Sequence, residues 1–279
     1  MKLSIRHETV YTYASPVSYT IQLLRLTPRQ NAQQRILEWA IDAPGRRHRH
    51  VDAYGNLSHT LVVNVPHDSL RVAVRGIVDV TPLPDGRQAA EERSADGGLP
   101  REVFAMPTPM TAADDDVAAF VRDACPAGLP DPPAALRLAE AIRDRVAYVT
   151  GATDAATAAA DALRLGRGVC QDHAHLFLAA ARLLGVPARY VSGYIHPGDT
   201  QHVASHAWVD AWFESAGWVS VDVTHARYTA DWHCRIAVGR DYESAGPVRG
   251  VRTGGGHERM DVRVRVVAVP QQHPDAPGP

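Results

Sequence analysis

The chain reads as an α+β protein: an N-terminal antiparallel β-sandwich-like domain, then a core with a helical half and an antiparallel sheet. Three observations predict this. Apolar residues alternate with a period of two from Leu3 to Val80, recur at about 3.6 beyond Pro107-Thr-Pro109, and return to two after Gly185. Composition sets the boundaries. Residues 1–82 form the β domain, 83–105 a linker rich in Pro, Gly, Asp, Glu and Ser, 106–269 the core, and 270–279 a Pro-rich tail expected to be disordered.

In the β domain, Leu3, Ile5, His7, Thr9, Tyr11 and Tyr13 share one strand face, and Val17, Tyr19, Ile21 and Leu23 repeat the pattern. Leu37–Ile41, Leu61–Val65 and Val72–Val80 supply further strands, with Tyr54-Gly-Asn56 as a tight reversal. His48 and His50 are zinc-type ligands on one strand face, but no third ligand is close in sequence, so a solvated basic edge is expected.

Helices follow. Thr111 is expected to cap one running toward Cys125, with Asp114 at the reciprocal position. Asp131, before Pro132-Pro133, caps a second that carries Leu138, Ile142 and Val146 on one stripe, and Asp154 caps a third ending at Leu165-Gly166. A fourth starts at Cys170, with Cys170, Ala174, Phe177, Leu178, Ala181 and Leu184 as one buried stripe ending at Gly185. Three strands come next, Ala188–Ile195, Ser205–Phe213 and Trp218–Thr224, the last two joined through Glu214–Gly217. Asp261–Val266 is a late strand of the core, and Trp208, Trp212 and Trp218 read as sheet packing.

Whole-chain properties narrow the function. A formal charge of -2 without a long basic block argues against a dedicated nucleic-acid binder. The N-terminus lacks an apolar signal core and no run of about 18 apolar residues occurs, so a soluble, cytoplasmic protein without a membrane partner is expected. Cys125, Cys170 and Cys234 are an odd, sparse set that fits a reducing compartment.

The chemistry gathers at Cys170. At a helix start, unpaired backbone N–H groups and the positive end of the helix dipole favour an anion, so this thiol is expected to ionise readily. His206 and Asp222 lie on successive strands and would complete a Cys-His-Asp triad, the carboxylate steadying the imidazole in its productive tautomer. A plain four-residue turn at Glu214–Gly217 would leave the two about three positions out of register, which calls for a bulge or strong twist. Gln171, His173, Tyr190 and Tyr194 are candidates for lining the cleft. Zinc is the competing reading, through Cys170-x-x-His173-x-His175 and His202-x-x-x-His206, but on a helix His175 points away from Cys170.

Gly168-Val-Cys-Gln-Asp172, Ala188-Arg-Tyr-Val-Ser-Gly-Tyr194, Ser205-His-Ala-Trp208 and Trp218-Val-Ser-Val-Asp-Val-Thr224 together resemble the core of the bacterial transglutaminase-like family, within the papain-like superfamily. The strand-rich start resembles the β domain that precedes that core, and Ala237–Tyr242 and Pro247–Gly250 resemble its later motifs. The resemblance implies a papain-like fold with Cys170 as nucleophile, His206 as base and then acid, and Asp222 as orienting carboxylate. Two positions depart from the family pattern: His173 stands where an aromatic is usual, and Val223 where proline often follows the aspartate.

The expected reaction is acyl transfer from a peptide, protein or small amide through a thioester, with the Cys170 backbone N–H as one oxyanion donor. Water as acceptor makes a cysteine peptidase or amidase, the favoured reading; a primary amine makes a transglutaminase. A non-catalytic binding module on the same fold is the alternative from another class. No recognisable calcium loop is present, so no metal or cofactor is expected.

Overall fold

The structure, a computed structural model, describes residues 1–88, 99–196, 198 and 205–270. Residues 89–98 of the linker, His202 and the tail beyond Pro270 lie outside the described residues. The first half of the chain contains β1 (Lys2–Leu24), β2 (Gln34–Asp42), β3 (Arg46–Val51), β4 (Leu57–Val63) and β5 (His67–Val80). The core follows with α1 (Asp115–Ala124), α2 (Pro132–Arg145), β6 (Ala147–Tyr148), α3 (Ala159–Leu165), β7 (Arg167–Gly168) and α4 (Cys170–Leu183). It continues through β8 (Ala188–Ile195), β9 (Ser205–Phe213), β10 (Gly217–Asp222), β11 (Arg227–Tyr228), β12 (His233–Gly239) and α5 (Tyr242–Ala245). Strands β13 (Val248–Gly254) and β14 (Glu258–Val269) complete the described chain.

The two alternating runs at the start are one strand of 23 residues. Its first half lies between β5 and β14, its second half between β4 and β13. The register slips between Thr12 and Val17, around Pro16, whose missing N–H cannot join a ladder. With β2 beyond β5 and β3 beyond β4, the seven-stranded sheet bends over itself. Tyr11, Leu70, Val72 and Val74 of one half then share a core with Val17, Leu24, Leu61 and Val63 of the other, so the domain is sandwich-like. His48 and His50 lie on β3, the edge strand, with stacked rings 6.2 Å apart and no third ligand at hand among the described residues.

Strands β13 and β14 move a boundary. The sequence reading assigns residues 248–269 to the core, yet both strands pair with β1. Alternation shows that a segment is a strand; it does not show which sheet the strand joins. The described ends of the linker are also packed rather than free. Phe104 is buried edge-on to Trp218 at 5.6 Å, and Gln88 donates to Ser220 Oγ at 2.9 Å and to the Trp218 carbonyl at 2.9 Å.

The core sheet runs β11-β10-β9-β8-β12, with α4 against β8 and β9, α2 against β10 and β11, and α1, α2 and α3 all packed on α4. Helix α4 is therefore buried all round from Asp172 to Arg182, not along one stripe. Asp131 caps α2 as expected, accepting from Ala134 N at 2.8 Å. Asp114, not Thr111, caps α1, because Thr111 is held in a short turn with Thr108. Asp154 closes its own turn with Ala156 and Thr157, and α3 starts later, at Ala159. That helix ends at Gly166, whose φ of 66° suits glycine.

Two side-chain amides fasten the sheets together. Asn56 donates to the Val238 carbonyl at 2.7 Å and accepts its N–H at 2.8 Å. Gln34 does the same with Arg235, both bonds at 2.8 Å. Around them Leu3, Ile5, Val78 and Val80 pack on Tyr194, Cys234 and Ile236. Each such bond stabilises by about 1 kcal/mol, and an orphaned partner costs more than that.

Candidate active site

The site forms where the first turn of α4 meets the start of β9. Strand β9 turns Ala207, Val209 and Ala211 toward α4 and carries His206, Trp208 and Asp210 on its other face. Cys170 occupies the first position of α4, where its backbone N–H has no acceptor within the helix. The approach is fixed by Asp172, which accepts from Val169 N at 2.7 Å and from Thr153 Oγ1 at 2.6 Å. Gly168 permits this, since a Cβ there would sit 2.7 Å from Asp172 Oδ2.

No bulge aligns His206 with Asp222. Phe213 pairs with Gly217, so the turn is shorter than the sequence reading assumed, and continuing that register puts Asp222 opposite Trp208. An offset of two keeps the side chains on one face as diagonal neighbours, within reach of each other. His206 Nε2 donates to Asp222 Oδ1 at 3.0 Å, and the ring and Cys170 line the same cavity. The structure thus brings all three predicted triad residues together.

Electrostatics set the proton's place. Burial alone would lower the His206 pKa, but the charge and hydrogen bond of Asp222, helped by Cys170, raise it to about 10. Asp222 is buried, which would raise its pKa; the facing histidines, His206 foremost, hold it well below the usual carboxylate range. Together these favour a charged imidazolium beside the sulfur.

Asp222 has two further partners that the sequence reading passed over. His225 Nδ1 lies 2.7 Å from Oδ2, and His233 Nε2 donates to the same oxygen at 3.0 Å. The His233 tautomer is fixed because its Nδ1 accepts from Ala230 N at 3.0 Å. His225 stands three residues after Asp222, a spacing visible in the sequence, whereas His233 arrives from β12, which is not a neighbour of β10. His206, Asp222 and His225 bring possible ligand atoms within 4.8 Å of one another. A metal there would have to break the bond from His206 to Asp222, because the nitrogen nearest the carboxylate is the one that carries the proton.

The predicted cleft residues divide. Gln171 and Tyr190 line a cavity of about 240 Å³ that opens at Cys170 and His206. His173 does not: Nε2 donates to the Val146 carbonyl at 2.9 Å and Nδ1 pairs with Thr224 Oγ1 at 3.0 Å, which makes it a strut below the triad. Tyr194 turns to the N-terminal sheet, its hydroxyl 2.8 Å from His7 Nδ1. His175 accepts from Tyr242 N at 3.1 Å, so the zinc set of Cys170, His173 and His175 does not converge. The far wall of the cavity comes from the other sheet, chiefly Thr9, Tyr11, Met260 and Val262. Among the described residues, none that line it is Asp, Glu, Lys or Arg.

Comparison with known proteins gives the same outline. The model of the transglutaminase-like superfamily matches residues 119–223, and that of the bacterial transglutaminase-like N-terminal region matches residues 3–79. An uncharacterised protein of Mycobacterium leprae is 32% identical over 276 residues, covering 95% of this chain and 98% of its own. Another, from Mycobacterium tuberculosis, is 32% identical over 295 residues and covers 94% and 91%. A crystal structure titled as a "Putative Cysteine Protease", from Cytophaga hutchinsonii, overlays with a TM-score of 0.76 at 20% identity, over 98% of this chain and 92% of that one.

Proposed function

Because the chain belongs to the transglutaminase-like superfamily, we propose that it is a thiol-dependent acyl-transfer enzyme that hydrolyses an amide, a cysteine peptidase or amidase. The observation that carries this reading is His206 held between Cys170 and Asp222 at the mouth of a cavity. Cys170 Sγ attacks the amide carbonyl; the oxyanion is met by the unpaired Cys170 N–H; His206 gives its proton to the departing amine. Water then attacks the thioester with His206 as base, and Asp222 keeps the imidazole oriented through both halves.

Water is favoured over an amine because an incoming ammonium group would need an acidic guide, and the cavity lining has none among the described residues. Apart from His206, the described walls carry no charged side chain and suit a neutral acyl group, supplied as a peptide, a protein side chain or a small amide. The three cysteines are free, which agrees with a cytoplasmic setting, and among the described residues no helix is long and apolar enough to cross a membrane. The test is incubation with a glutamine-containing peptide and a labelled primary amine. Release of free acid ahead of amine incorporation is expected; the opposite order would make the protein a transglutaminase.

A further inference from the structure

The outer face of the N-terminal sheet carries a second feature, on the side of β1 away from the reaction cavity. There the register sets Arg75 on β5, Arg6 on β1 and Arg265 on β14 directly opposite one another. Neighbouring strands run about 4.8 Å apart, so the three side chains rise from a line about 10 Å long. Arg263 stands on the same face of β14, opposite Glu8. Like charges directly opposite on a sheet are destabilising.

Several other arginines of this sheet are paired, although Arg46 and Arg49 on the edge strand β3 have no carboxylate partner among the described residues. Arg71 meets Glu8 at 2.6 Å and Asp42 at 3.0 Å, Arg35 meets Asp79 at 3.3 Å, and Arg259 meets Asp261 at 3.1 Å. Among the described residues, Arg6, Arg75, Arg263 and Arg265 have no such partner, and they border a concavity of about 690 Å³. The cluster stands out on a chain whose formal charge is -2.

We propose that this arginine ladder is a binding site for a small molecule carrying two or more adjacent phosphoryl groups. Guanidinium forks match phosphoryl oxygens bidentately, and only a ligand with several charges in a small volume gains from all the arginines at once. Glu8 and Asp42 flank the ladder on one side. On the other, the next same-face set is the neutral Ser4, Ile77 and Val267. An extended polyanion such as a nucleic acid or an acidic peptide would run into those carboxylates or leave the positive zone. The site is separate from the proposed chemistry at Cys170 and does not rest on it.

Calorimetric titration of the full chain with inorganic phosphate, pyrophosphate and tripolyphosphate at about 20 mM salt tests the proposal. Saturable one-to-one binding is expected, tightening from phosphate to tripolyphosphate. Arg6→Gln should weaken it at least about tenfold, and Arg6→Gln with Arg75→Gln and Arg265→Gln should remove it. Arg164→Gln, the same charge change at a paired position on α3, should leave it intact. Melting curves without ligand should show the triple variant at least as stable as the parent, since repulsion is relieved. Absence of saturation up to about 10 mM pyrophosphate, undiminished binding by the triple variant, equal loss in Arg164→Gln, or displacement of pyrophosphate by an acidic peptide at equal charge would each overturn it.

Discussion

Asp210 on β9 and Asp222 on β10 are both fully buried, lie on the same face of one sheet, and differ in what surrounds them. Asp210 is held by Arg189 at 2.7 Å and by two nitrogens of Arg235 at 2.6 and 2.8 Å, with Ser220 Oγ also donating. Asp222 meets three histidines and, among the described residues, no arginine. Burial would raise the Asp210 pKa, but Arg235 and Arg189 drive it far below the normal range. A guanidinium keeps its proton under all working conditions, so the Asp210 cluster can only hold structure. Imidazole can give its proton up, so the Asp222 cluster can take part in a reaction. The same carboxylate chemistry serves scaffold or catalysis according to the basicity of its partner.

Exchanging each carboxylate for its amide should separate the two roles. Asp222→Asn is expected to lower turnover by about 10³ to 10⁴ with little loss of stability, measured by steady-state rates and thermal melting. It should also move the alkaline limb of the activity profile, which lies near pH 10 if His206 sets it, to lower pH, because the charge that raises His206 is gone. Asp210→Asn should do the reverse. Two buried guanidinium groups lose their counter-charge, the fold loses about 3 to 5 kcal/mol by denaturant titration, and the protein that remains folded keeps near-normal turnover. A large rate loss in Asp210→Asn at unchanged stability would erase the distinction.

Acid sharpens the contrast from another side. His7 and His175 are buried, and burial lowers both from 6.5 to about 4, in His175 outweighing the opposing charge of Asp241. The unfolded chain binds those protons first. Their contribution to stability is therefore complete above about pH 6.5 and is lost as the pH falls toward 4. Melting temperatures should drop across that window in wild type, and less in His7→Gln, which removes one of the two groups. The smallest expected effect is at the sheet junction. Asn56→Ala should cost about 1 to 3 kcal/mol, since the Val238 N–H and carbonyl lose their partners.

Sequence periodicity located β8 and β9 to the residue and the cap located the start of α2, because each lies in a run with a continuous buried face, whereas the triad residues were named from residue type and family resemblance. It failed where partners come from far along the chain. The pairing of β13 and β14 with β1, the His233 bond to Asp222, and the Tyr194 bond to His7 each span residues that no local pattern connects. The turn before β10 misled for a different reason: one residue less in the loop changes the register, and that length cannot be read from turn composition alone. His173 looked like a cleft residue because it adjoins Cys170 by number, whereas the helix carries it round to Val146 and Thr224.

The most direct test of an activated Cys170 is its rate of alkylation by iodoacetamide at pH 5, followed by intact mass and peptide mapping. Cys125 and Cys234 are poor references because they are buried, so the comparison is wild type against Asp222→Asn, in which Cys170 is equally accessible. A thiolate paired with imidazolium should react at least about tenfold faster in wild type than in the variant. Equal rates would show that Asp222 does not act on the sulfur through His206, and the triad reading would fail.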